Sequence, residues 1–150
     1  MPVITREFVE HVVRTGPLAE ARRRTQDGTA RPRNKAAWDR FSSWALVLEE
    51  VLDTEHPADW YDDIIAELGR RGFAAEQVDA MRRFAWETAG WLNYDKMLWE
   101  WCGLDEKDVK LALDWQLKDG RIDRRQHAAG LAFLEQPASA RPPALSGAEG

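Results

Sequence analysis

This chain has one cysteine, three histidines and two tyrosines, and it contains no long apolar run. Each shortage narrows what it can be. Cys102 alone cannot close an intramolecular disulfide, and its place between Trp101 and Gly103 suits a small core-lining residue. No apolar stretch approaches the roughly 20 residues that cross a bilayer, so no membrane partner is expected. Residues Met1–Glu7 lack the basic-then-apolar layout of a secretion signal, so the chain is expected in the cytoplasm. His11, His56 and His127 fall on different elements, and only Asp53 and His56 share a helical spacing, which is too little for a metal site. The stretch Asp114–Arg125 misplaces the glycine of a calcium loop and puts Arg125 at the bidentate-carboxylate position. There is no Gly-rich phosphate loop, no Gly-x-Ser-x-Gly elbow and no His-Glu-x-x-His motif. No catalytic residue, metal or cofactor is therefore expected, and the protein reads as non-enzymatic.

What is abundant is charge and tryptophan. With 44% hydrophobic and 31% charged residues, the 150-residue chain can bury one substantial core. The net charge of −5 is unevenly spread. Residues 1–40 hold nine basic and five acidic side chains, residues 41–102 hold five and thirteen, and residues 103–150 hold seven and eight. Pairs such as Glu49-Glu50 and Asp62-Asp63 read as ordinary solvated helix faces. Of the eight tryptophans, Trp38, Trp44, Trp91 and Trp101 sit on or beside inward stripes. Trp86, Trp99 and Trp115 fall off those stripes, which suits rings half-buried between helices or an apolar patch for a partner.

Apolar spacing and punctuation predict helices nearly throughout, and no stretch alternates cleanly enough for a strand. Thr5 can cap a first helix carrying Phe8, Val9, Val12 and Val13, stopped at Gly16-Pro17. A short piece follows over Leu18–Gln26, then a linker to Asn34. Residues 1–33 are read as a basic arm, partly helical or flexible, apart from the core. The strongest stripe, Ala37, Phe41, Trp44, Leu48 and Val51, predicts a helix from about Lys35 to Leu52. Further helices are expected at about Ala58–Arg70, Ala75–Leu92 and Tyr94–Cys102, then from Asp105 to Gly120, and from Asp123 to Glu135. Asp123 with Gln126 has the form of a capping box. Residues 34–136 would be the helical domain, and 137–150, rich in Pro, Ala, Ser and Gly, a disordered tail.

The stretch Leu98–Ile122 has the punctuation of two helices joined by a tight turn. Gly103 can end the first, Leu104 tucks under the turn, and Asp105 caps the second. Val109, Ala112, Leu113, Gln116 and Leu117 then face inward. This pattern, with the pair spanning residues 94–120, resembles bacterial and phage helix-turn-helix DNA-binding proteins. A segment ending the region, Gly120-x-Ile122-x-x-x-Gln126-x-x-Ala129-Gly130, also resembles small phage and prophage helical proteins; read from its residues, it is a capped surface helix with a close-packing glycine. The implied fold is all-α, a compact bundle of five to six short helices containing a helix-turn-helix-like unit. It has no wing, because Asp123 opens a helix where strands would be needed.

The resemblance implies a non-enzymatic regulator of phage or mobile-element type that contacts double-stranded DNA. Lys107, Lys110 and Lys118 would approach phosphates from the second helix, and the run Arg22, Arg23, Arg24, Arg31, Arg33 would add sequence-independent attraction. The same run also suits a solvated tail or a clamp onto the protein's own acidic surface. The second helix departs from a DNA reader in two ways. Asp105, Glu106 and Asp108 crowd its N-terminal end, and Leu111 and Trp115 lie one turn apart on its outer face. The alternative is therefore an acidic interaction or self-association module, an adaptor or inhibitor, using Trp86, Trp99, Leu111 and Trp115.

Overall fold

Gly16 and Pro17 turn what would be one long helix into a corner, and much of the architecture follows from how that corner is held. The computed structural model describes residues 3–33, 38–52, 56–96 and 103–145. Helix α1 spans Arg6–Thr15, with the Thr5 hydroxyl accepting the Phe8 N–H at 3.1 Å. Helix α2 spans Pro17–Asp27, opening on a proline, whose missing N–H costs nothing at a first helical position. It closes at Gly28, whose φ of +76° lies in the left-handed region that favours glycine.

These helices belong to the core. Ile4, Val9, Leu18 and Ala21 are all buried, and α2 lies along α4, Ala58–Arg70. The expectation of an arm apart from the core is thus not met in the structure. Its basic composition concealed the apolar side of α2, where Leu18, Ala19 and Ala21 are buried.

The helix with the strongest expected stripe is also broken. Trp38–Arg40 form one 3₁₀ turn, and α3 covers only Ser43–Leu48. The Ser42 hydroxyl accepts the Ala45 N–H at 3.1 Å and so starts a new helix inside the apolar stripe. Trp44, Leu46, Val47 and Leu48 are buried around nearly the whole circumference of α3, while Phe41 is left exposed. Trp44 meets Phe84 and Phe133 at ring distances of 5.5 and 5.7 Å, and its indole N–H reaches the Leu134 carbonyl at 2.8 Å. That cluster joins α3 to α5 (Ala75–Ala85) and α7 (Arg124–Glu135).

Helix α5 runs on as a π-helix over Trp86–Asp95, a wider winding that brings Trp86, Trp91, Leu92 and Asn93 all into the interior. Helix α6 spans Glu106–Lys118 and packs against both the π-helix and α7. The chain is an all-helical bundle, and among the described residues it contains no strand. No helix among them is long and apolar enough to cross a membrane. Residues 137–145, expected to be disordered, lie against the body: Leu145 is buried, and Gln77 and Gln126 donate to the carbonyls of Ala138 and Ala144.

Candidate functional site

The helix expected to present the functional face is present, with the predicted cap at Asp105. Asp105 accepts the Lys107 N–H at 2.9 Å, and Asp108 reaches back to the Asp105 N–H at 2.9 Å. Glu106 accepts the Ser42 hydroxyl at 2.7 Å. The acidic start of α6 is therefore built into its own cap and its junction with α3, in the position where the helix dipole favours negative charge. Leu104 is buried beneath the turn. Of the preceding helix expected over Tyr94–Cys102, residues 94 and 95 end the π-helix, and 97–102, with Leu98, Trp99, Trp101 and Cys102, lie outside the described residues.

The inward residues of α6 are those the spacing indicated. Val109, Ala112, Leu113 and Gln116 are buried and Leu117 is partly so. Gln116 donates to the Glu87 carbonyl at 2.7 Å, fastening α6 to the π-helix. Gly130 of α7 sits against Leu113, where a Cβ would come within 2.8 Å of a Leu113 methyl. With one side held so closely, the outer face has a fixed orientation. It presents Lys107, Lys110, Leu111, Asp114, Trp115 and Lys118. Leu111 is 43% exposed and Trp115 38%, unusual for large apolar side chains on a well-packed helix. Asp114 pairs with His127 of α7 at 2.8 Å. Lys110 and Lys118 have no ion-pair partner among the described residues.

The other expected partner residues do not join this face. Trp86 is 7% exposed, lies edge-on to Phe8 at 5.6 Å and donates to Glu50 at 3.3 Å, so it is a core residue and not a contact for a partner. Trp99 lies outside the described residues.

The arginine run is engaged with the protein itself. Arg22 makes a two-pronged pair with Asp79 at 2.8 and 2.7 Å. Arg24 grips Asp62 at 3.0 and 2.8 Å and also reaches the Ala58 carbonyl. The second oxygen of Asp62 holds the Arg31 backbone, and Asp63 holds that of Arg33 together with the Trp38 indole N–H. The Arg31 guanidinium bonds back to the carbonyls of Thr29 and Ala30, and Arg33 is 3.5 Å from Asp59. Arg23 donates to the Arg14 carbonyl at 3.0 Å. Thus Asp62 and Asp63 are buried fasteners for the linker after α2, and the reading of them as solvated faces is corrected.

Glu50 is corrected in the same way, and with it comes a residue that the sequence did not single out. Arg82 of α5 is wholly buried. It bonds both Glu50 oxygens at 2.9 and 3.0 Å, the carbonyls of Val12 and Val13 at 2.9 Å, and Asp79 at 3.1 Å. Glu50 in turn accepts the Leu18 N–H at 3.0 Å. One ion pair so caps both ends meeting at the Gly16-Pro17 corner: the cation at the C-terminus of α1, the anion at the N-terminus of α2. Gly16 is required there because a Cβ would stand 2.7 Å from a Glu50 oxygen and 2.7 Å from the Val12 carbonyl. A signal was available, since Arg82 falls between Met81 and Ala85 on the inner side of its helix and the corner leaves backbone groups needing partners.

Among the described residues, no group of three or more His, Cys, Asp or Glu is placed to hold a metal ion. Comparison with family models, with curated proteins and with solved structures finds no match to this chain.

Proposed function

We propose that this protein is a protein-interaction module that docks the outer face of α6 onto a partner, with Leu111 and Trp115 as the anchoring side chains. The observation that carries this reading is the exposure of those two residues, one turn apart, on a helix whose opposite side is locked by Gln116 and Leu113. A tryptophan and a leucine on a rigid helix suit an apolar pocket on a partner. Lys107, Lys110 and Lys118 border them, so a pocket edged by carboxylates would complement the face and speed encounter.

The second reading, a DNA-associated regulator of helix-turn-helix type, rests on those same three lysines. It draws less support from the arginine run. Arg22 and Arg24 would have to exchange short ion pairs for phosphates, and a helix start bearing Asp105, Glu106 and Asp108 faces repulsion there. The two readings separate in an anisotropy titration of labelled mixed-sequence duplex DNA at about 50 and about 200 mM salt. The interaction reading expects no association at the lower salt. Binding that collapses on raising the salt, and survives Leu111→Ala/Trp115→Ala, would overturn it in favour of DNA.

A further inference from the structure

A groove of about 620 Å³ opens between α1, α2 and α5, separate from the face of α6. Four arginines, Arg14, Arg22, Arg23 and Arg83, line it with two carboxylates, Glu10 and Asp79, a surplus of two positive charges. The carboxylates are already engaged. Glu10 receives Arg83 at 2.6 and 3.1 Å, and Asp79 receives Arg22 twice and Arg82 once. The Arg83 hydrogen bond holds Glu10 below the ordinary carboxyl range. Burial alone would raise Asp79, but Arg22 and Arg82 outweigh it and hold it low as well.

Backbone oxygens that would repel an anion are likewise covered. Arg82 occupies the Val12 and Val13 carbonyls, and Arg23 occupies that of Arg14. The Arg14 guanidinium acts on Glu10 through charge but forms no hydrogen bond among the described residues, and all but one of the Arg23 donors stay open. The bond from the Arg23 guanidinium to the Arg14 carbonyl ties the two residues together at one wall.

We propose that this groove binds a small, multiply charged phosphate compound, with Arg14 and Arg23 as its principal contacts and the spare donors of Arg22 and Arg83 as supports. The guanidinium fork matches phosphate oxygens in pairs, which favours phosphate over a point-charge counterion. A small ligand fits better than a nucleic acid. The groove is of small-molecule size, and the chain around it carries a net charge of −5, which disfavours a long polyanion.

The test is calorimetric titration of the full chain with inorganic tripolyphosphate at about 50 mM salt, with citrate and mixed-sequence duplex DNA as comparators. Arg14→Ala/Arg23→Ala changes exposed side chains only, and a matching thermal midpoint verifies its fold. The expected result is one-to-one binding weakened about tenfold or more in that variant, with Arg14→Lys/Arg23→Lys falling between. The proposal is overturned by no binding of tripolyphosphate, by equal affinity in the alanine variant, or by tighter binding of citrate or DNA.

Discussion

Arg82→Met preserves most of the aliphatic length of the side chain and removes every donor at the corner of α1 and α2. Three losses follow. The Glu50 carboxylate, whose side chain is 1% exposed, keeps only the Leu18 N–H and a long bond from Trp86. The Val12 and Val13 carbonyls lose the cation that caps them. Asp79 keeps Arg22 alone. Removing one partner of a buried ion pair costs about 3–5 kcal/mol, chiefly from the charge left behind. That is a large share of the roughly 5–15 kcal/mol that holds a domain together. At about 2–4 °C per kcal/mol for a chain of this length, the thermal midpoint by circular dichroism should fall by roughly 6–20 °C. Adding Glu50→Gln removes the stranded charge and should restore about 1–2 kcal/mol. Glu50→Gln alone should lie between wild type and Arg82→Met. A cost below about 1 kcal/mol for Arg82→Met, or no recovery in the double variant, would mean that Arg82 does not hold the corner.

Glu87 makes the stability of the fold depend on pH. Burial lifts its carboxyl from the ordinary 4.5 to about 7; Arg83, Arg6 and Arg121 partly oppose that rise, and Glu10 adds to it. In the unfolded chain the proton leaves first, so this group's contribution to stability is full below about pH 4.5, declines as pH rises to about 7, and is absent above that. The span corresponds to at most about 3 kcal/mol, and partial exposure of the residue reduces this to about 1–2. Urea melts at about pH 5 and about pH 8 should show Glu87→Gln gaining on wild type by that amount at the higher pH; equal differences at both would remove the group from the account. Gly16→Ala should cost about 1–3 kcal/mol, since a Cβ there meets the Val12 carbonyl, and it should exceed Gly130→Ala, whose obstacle is the terminal methyls of a side chain and not a backbone atom; the reverse order in thermal melts would contradict the close approach at the corner.

The helical class and the orientation of α6 were legible because they rest on local chemistry. The spacing of Val109, Ala112, Leu113 and Gln116 and the caps at Asp105 and Asp123 act within one turn, where periodicity and hydrogen-bonding residues report directly. The broken helix before α3 was hidden because Ser42 sits in a stripe that continues unbroken on either side. The arginine run could be read from sequence as a phosphate contact, a solvated tail or a clamp onto the protein's own acidic surface, and for a different reason composition did not choose among them. A basic N-terminal third and an acidic middle have the same composition whether they repel and attract outside molecules or each other, and Arg22–Asp79 and Arg24–Asp62 are pairs over 57 and 38 residues. Charge asymmetry between segments was thus the trace of their internal pairing. Glu50, Asp62 and Asp63 were misplaced by the same blindness to distance, since each is buried only because a partner far along the chain satisfies it.

The most direct test of the central claim is quantitative capture by the tagged full chain, comparing wild type with Leu111→Ala/Trp115→Ala. Circular dichroism first establishes that the variant keeps its fold, as exposed positions should allow. The account predicts a partner held by wild type and bound about tenfold or more weakly by the variant, the loss expected when two apolar anchors are truncated. Retention of the same partners with unchanged affinity by both proteins would contradict it.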